Sequence, residues 1–230
     1  MPLSDPPSSL PISSEHARRQ FARRGNLAEA QFLYGEIAQR MSNRMAYIRL
    51  DPAQMLDAGC GAGDNLPLLR ARYPRAAYIG LDNCEPLLAH ARRRYLPAGI
   101  GAWLGRLVRK GEPPLRFLRG DLADTGLAPE SLDLVWSNLA LHWHPEPHAV
   151  LAEWRRILRV DGLAMFSCLG PGTLRELRQA LADAGLRTAT PGFVDMHDFG
   201  DLLVESGFAD PVMDQEVLTL TYATPQRLLE

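Results

Sequence analysis

An α/β fold, a mostly parallel twisted sheet with helices on both faces, is predicted by three features of this 230-residue sequence. Short apolar runs alternate with helical stretches through its middle, and strands spaced by helices run parallel because each crossover helix carries the chain back. The first apolar run breaks into a glycine turn and a helix start, Met55-Leu56-Asp57-Ala58-Gly59-Cys60-Gly61-Ala62-Gly63-Asp64-Asn65. Acids then stand at the ends of three successive runs, Asp57, Asp82 and Asp121.

The elements follow in order. Residues 1–14 are rich in Pro and Ser and read as a disordered tail. Residues 15–50 carry two helices, a basic one capped by Ser13 or Ser14 (Arg18, Arg19, Arg23, Arg24) and one with apolar positions Phe32, Ile37, Met41, Met45 and Ile48. Asp51-Pro52 ends the second, and residues 51–230 form the main domain. In it, strands are expected at Met55–Ala58, Tyr78–Leu81, Leu115–Leu118, Leu132–Ser137 and, after the Asp161-Gly162 turn, Leu163–Cys168. Helices are expected at Leu66–Arg72, Glu85–Tyr95 and His148–Leu158. Pro97–Pro114 reads as an insertion with a short helix around Trp103–Val108. Val217–Tyr222 alternates like a strand, and Thr224-Pro225 then offers a helix cap and first turn, so a final helix begins five residues before the last residue.

Composition narrows the class. With 46% hydrophobic and 23% charged residues the chain is an ordinary globular one, not fibrous or wholly disordered. It contains no run near the roughly 18 apolar residues of a membrane span. The first residues lack the basic start and apolar core of a secretory signal. Three scattered cysteines, Cys60, Cys84 and Cys168, suit a reducing compartment, so a cytoplasmic location is expected. A net charge of −2 argues against bulk nucleic-acid binding. The average conceals a basic segment, His90–Arg119, with eight Arg or Lys residues against one acid. It is either a solvated face or a surface for an acidic partner.

The glycine turn carries the chemistry. A strand, a tight turn and a helix start aim backbone N–H groups at a ligand. The dinucleotide pattern G-x-G-x-x-G fails, since Asp64 follows Gly59 and Gly61 at the third position, and no Gly-Lys-Ser/Thr follows for a phosphate loop. G-x-G-x-G preceded by Asp57 suits a nucleoside ligand with a positive group and no phosphate, which describes S-adenosylmethionine (SAM). Asp82 is placed to accept from both ribose hydroxyls and Asp121 from the adenine amino group, and all three acids are expected to be ionised.

On these residues the sequence resembles the class I SAM-dependent methyltransferases. Leu56–Gly63 looks like their first motif, Gly80-Leu81-Asp82 their second, Gly120-Asp121-Leu122 their third and Asp133–Trp143 their fourth. Among them it is most similar to the malonyl-acyl-carrier-protein O-methyltransferases of biotin synthesis, through Trp136–Trp143, Leu169–Leu177, Phe193–Asp198 and Ala209–Asp214. A sister group of mitochondrial complex I assembly factors, one of them thought to be an arginine hydroxylase, shares those blocks. The resemblance implies a Rossmann-like fold whose last strand the chain lacks, and SAM held by Asp57, Gly59, Gly61, Gly63, Asp82, Asn83, Asp121, Leu122 and Asn138. It implies a malonyl group on an acidic acyl carrier protein as acceptor. Another small carboxylic acid, a quinone precursor, or an assembly-factor or hydroxylase role stand as alternatives. Two departures fall on the substrate side: Ala28 stands where a tyrosine is frequent, with Tyr34 further on as a candidate substrate-binding residue, and the basic insertion is long.

A malonyl carboxylate is already ionised at neutral pH and needs no general base, so no catalytic residue is assigned. It needs a cation, for which Arg175 at a helix start is the candidate, and a pocket wall, for which His142 and Trp143 stand just past Asn138. His142, His144 and His148 lie in a proline-broken loop that the fourth motif explains, so no metal is expected.

Overall fold

The computed structural model describes residues 13–23, 31–96, 111, 113–186 and 192–224. Two helices, α1 (Ser14–Arg23) and α2 (Gln31–Arg44), precede the sheet domain. Then come β1 (Gln54–Ala58), α3 (Leu66–Arg72), β2 (Ala77–Asp82), α4 (Glu85–Tyr95), β3 (Leu115–Arg119) and β4 (Leu132–Asn138). The chain continues through α5 (Pro147–Ile157), β5 (Leu158–Ser167), α6 (Arg175–Asp183) and α7 (Met196–Glu205). The five strands pair in parallel in the order β3-β2-β1-β4-β5. From β1 the chain adds strands first on one side and then, at β4, on the other. That reversal opens a crevice at the strands' C-terminal ends.

Side-chain alternation divides the sheet's strands between two cores. Met55 and Trp136 pack with Met41, Leu69 and Leu88 on the face covered by α2, α3 and α4. Leu56, Ala58 and Val135 point the other way, against Leu151, Trp154 and Phe199 of α5 and α7. With both faces covered, the central strands are apolar on both sides. Asp57 is the exception, fully buried on the Met55 side of β1.

Three expectations change. Val217–Tyr222 forms no strand: Val217 is 87% exposed, and among the described residues no neighbouring strand pairs with the segment. Its approach is tied down instead by charge, Asp214 and Glu216 accepting from Arg44 and Glu216 also from Arg40 on α2. The fifth strand begins at Leu158, and Asp161-Gly162 sits inside it as a bulge. There Leu132 and Leu134 of β4 face Leu158 and Leu163, and Asp161 takes a positive φ of 63°. The second helix ends at Arg44, with one 3-10 turn, Met45–Tyr47, before Asp51-Pro52. Ala28, the helix expected around Trp103–Val108 and the one expected after Pro225 lie outside the described residues. Among the described residues no helix is long and apolar enough to cross a membrane.

Candidate functional site

A cavity opens where the switch in strand order predicts it. Gly59, Cys60, Gly61 and Ala62 after β1, Asp82 and Asn83 after β2, Gly120 and Leu122 after β3, and Asn138, Leu139 and Ala140 after β4 line it. The turn is built tightly: Gly59 and Cys60 N–H both donate to the Leu81 carbonyl, at 2.8 and 3.0 Å. Gly59 has φ +78°, and a Cβ there lies 2.2 Å from that of Ala140, so the loops after β1 and β4 touch through a missing side chain. A Cβ on Gly61 meets only Leu87 Cδ1, at 3.9 Å, which leaves the cavity floor open. Gly63 lies outside the lining and packs on Tyr95 and Phe117.

Asp82 is anchored from two sides. One carboxylate oxygen accepts from Gly61 N–H and the other from Cys84 N–H, each at 2.8 Å. Burial pushes its carboxyl up, against those backbone bonds. Each oxygen keeps a lone pair for a hydroxyl donor in the cavity. Asp57 behaves differently from expectation. It does not line the cavity, and it accepts from Tyr78 Oη at 2.6 Å and from Asn65 Nδ2 at 3.2 Å. Desolvation raises its carboxyl to about 7, so it is not reliably ionised at neutral pH. It reaches the cavity through Asn65, which does line it.

Asp121 also stands one residue back, behind Gly120, Leu122 and His144. His144 Nδ1 accepts from Glu146 N–H at 3.1 Å, so its Nε2 carries the proton donated to Asp121 Oδ1 at 3.0 Å. That bond, first among the causes, holds the Asp121 carboxyl below its ordinary value.

The fourth motif forms the far wall. Asn138 Nδ2 donates to the Tyr34 carbonyl at 2.9 Å and its Oδ1 accepts from Ser167 Oγ at 3.0 Å, which ties α2 and β5 to the end of β4. Trp143 lines the cavity with its ring edge-on to Phe21, centroids 5.7 Å apart, and its Nε1 is buried with no partner among the described residues. His142 lies behind it, buried against Phe193, with neither ring nitrogen partnered among the described residues. Burial lowers its pKa to about 3, so it is neutral. Among the described residues no group of three or more His, Cys, Asp or Glu is placed to hold a metal.

Arg175 is not brought to this site: its side chain is 79% exposed, beside Glu176. Sequence reasoning placed helix α1 among the N-terminal helices on the lid side, but did not single out its Ser14, Ala17, Arg18 and Phe21, which close the cavity. Their i, i+3, i+4, i+7 spacing was the available signal. The basic run Arg18-Arg19 masked it.

The lining fits SAM. The anchored carboxylate of Asp82 offers acceptors to vicinal hydroxyls, Leu87, Leu122 and Leu139 offer flat apolar contact, and the side-chain-free Gly61 leaves room over the turn.

Comparison with known proteins agrees with this geometry. A family model described as a methyltransferase domain matches residues 56–166. The malonyl-[acyl-carrier protein] O-methyltransferase of Laribacter hongkongensis is 49% identical over 84% of this chain, which spans 63% of that relative's length. The enzyme of the same name from Gallionella capsiferriformans is 40% identical over 95% of this chain and 73% of its own. A chain of the Haloferax volcanii complex of the Trm112 activator with a methyltransferase superposes with a TM-score of 0.61 at 20% identity, covering 85% of this chain and 76% of that one. A SAM-dependent methyltransferase from Thermotoga maritima gives 0.58 at 18%, covering 84% and 81%. The two structures share the fold. The identity to the two relatives, carried across nearly the whole sheet domain and the helices before it, places the chain in the malonyl-[acyl-carrier protein] O-methyltransferase family of SAM-dependent methyltransferases.

Proposed function

We propose that this protein methylates the free carboxylate of a malonyl thioester carried on an acyl carrier protein, a step that serves biotin-precursor synthesis in the cytoplasm. The observation that carries this reading is the cavity itself: a SAM-compatible floor from β1 and β2 meets a wall of Asn138, Trp143 and Tyr34 under a cover from α1. When bound, SAM supplies an electrophilic methyl: a carboxylate oxygen forms the new bond to carbon as the carbon–sulfur bond breaks, its electron pair staying on sulfur, and no proton moves. The protein's share is positioning and exclusion of water. Asp82 holds the ribose hydroxyls, with Asn83 beside it, and Leu122 borders the adenine, with Asp121 set back from it and engaged by His144. Asn65, backed by Asp57, faces the amino-acid end. Trp143 presents its ring as a wall to the acceptor, with neutral His142 filling the space behind.

Replacing Asp82 with Ala removes one or two hydrogen bonds to the ribose and weakens SAM binding by about 1–3 kcal/mol. Titration calorimetry reads this directly, and unchanged affinity takes Asp82 out of the ribose site.

The intact mass of malonyl-acyl carrier protein after incubation with SAM tests the reaction. One added methyl establishes donor, acceptor and carrier together, and no gain rejects malonyl as acceptor. An acidic carrier has a candidate surface in the last turn of α4, where Arg93 stands between Arg92 and Arg94, which pair with Glu85 and Asp64, and the basic run continues in sequence with Arg106, Arg109 and Lys110. Raising salt from about 50 to 300 mM is expected to lower kcat/KM several-fold for the carrier-bound substrate and leave malonyl-pantetheine turnover nearly flat. Equal salt dependence for both counts against a charged docking face.

A further inference from the structure

A carboxylate that must give up water to react needs a positive charge beside it, because burying an unpaired anion is costly. Among the described residues, the charged side chains along the cavity lining are Arg18, Asp64 and Asp82, with His144 already hydrogen-bonded to Asp121. Asp64 is matched already, accepting from Arg94 at 3.0 Å and from Gln31 at 2.9 Å. Asp82 is held by backbone N–H groups. Among the described residues of the lining, Arg18 is therefore the cation that a bound anion can claim.

Its surroundings leave it available. Glu15, one turn earlier, is engaged by Arg19 at 2.6 Å and stands 3.8 Å from Arg18, beyond hydrogen-bond reach. The Arg18 side chain is 41% exposed, so it meets both solvent and the cavity. Helix α1 lies against α4, and Arg18 faces the cavity from it. Three residues on, Phe21 stacks edge-on against Trp143. One helix face thus brings a guanidinium and an aromatic wall to the same cavity, one to pair with the anion and one to exclude water from it.

We propose that Arg18, on the helix covering the cavity, is the residue that binds the acceptor's carboxylate, with the α1 face Ser14/Ala17/Arg18/Phe21 acting as the carboxylate-selecting wall of the site. This rests on the malonyl reading above. It assigns to α1 the role that the sequence suggested for Arg175. A planar guanidinium forms paired hydrogen bonds to a carboxylate, whereas an ammonium supplies charge without that fork.

The test uses the full chain as Arg18→Gln and Arg18→Lys, assayed on malonyl-acyl carrier protein, with SAM affinity measured by calorimetry. Inhibition by the methyl-ester product, which has lost the charge, is measured alongside. Arg18→Gln is expected to raise KM for the malonyl carrier by at least about tenfold while SAM affinity stays within about twofold. It is also expected to erase the preference for malonyl carrier over its methyl ester, and Arg18→Lys to recover part of that preference. A general loosening of α1 moves SAM affinity and both carrier forms alike, and that result overturns the assignment. So does weaker SAM binding with an unchanged KM for acceptor, which gives Arg18 to the cofactor. If the wild-type chain methylates malonyl carrier and Arg18→Gln matches it, the inference falls and the reaction stands. If the wild-type chain leaves malonyl carrier unmodified, both fall.

Discussion

Gly59→Ala is expected to produce a protein that melts well below the wild type and no longer binds SAM. Two costs add. An alanine at φ +78° enters the left-handed region at about 1–2 kcal/mol. Its Cβ also arrives 2.2 Å from that of Ala140, and relieving the overlap shifts packed backbone at a further cost of about 1–3 kcal/mol. The shift cannot stay local, since Gly59 and Cys60 both donate to the Leu81 carbonyl and Ala140 adjoins the loop that positions Trp143. Gly61→Ala separates the two roles of the turn. Its Cβ meets nothing nearer than 3.9 Å, so the fold survives with a modest loss while the new methyl intrudes on the cavity. Thermal melts and calorimetry on the pair distinguish them: stability and binding both fall for Gly59→Ala, mainly binding for Gly61→Ala. A Gly59→Ala protein that melts and binds as the wild type does refutes the close approach of the two loops.

The sheet was legible because parallel strands buried on both faces are short continuous apolar runs, and glycine and proline punctuate them. Leu66–Arg72 and Glu85–Tyr95 are helices with the expected bounds. What failed depended on contacts distant in sequence. Val217–Tyr222 has strand alternation, but alternation does not supply a partner edge. Asp161-Gly162 has turn chemistry, and a bulge uses the same positive φ without ending the strand. Helix α7 went unannounced although Asp195 caps it, its Oδ1 accepting from His197 N–H at 2.9 Å. At the site, the turn and the acid after β2 were readable because they lie on one strand–turn–helix unit and its neighbour. The cation we propose was not: sequence nearness to the fifth strand favoured Arg175, whereas folding lays α1 with Arg18 along the cavity from more than a hundred residues away in sequence.

Asp57 shows how a one-residue alternation sets chemistry. Sharing a face with Met55, it is carried into the apolar layer instead of the crevice, and its burial raises the carboxyl to about 7 despite bonds from Tyr78 and Asn65. In the unfolded chain the same group titrates near 3.9. Between about pH 4 and 7 the folded state therefore holds a proton that the unfolded state releases. Stability must fall as pH rises through that window, and the full cost persists above it. Three units correspond to about 4 kcal/mol as an upper bound. Asp57→Asn keeps the shape and removes the titration. The variant is expected to melt several degrees above the wild type at pH 8, with the gap closing toward pH 4. A bound cation near Asn65 favours the ionised carboxylate, so wild-type SAM affinity should rise between about pH 6 and 8, and the variant should lose that slope. The stability cost of this buried acid then has a physical counterpart: the ligand's positive charge makes its ionised form useful. Identical melting profiles for the two proteins from pH 4 to 8 refute the buried, proton-holding state of Asp57.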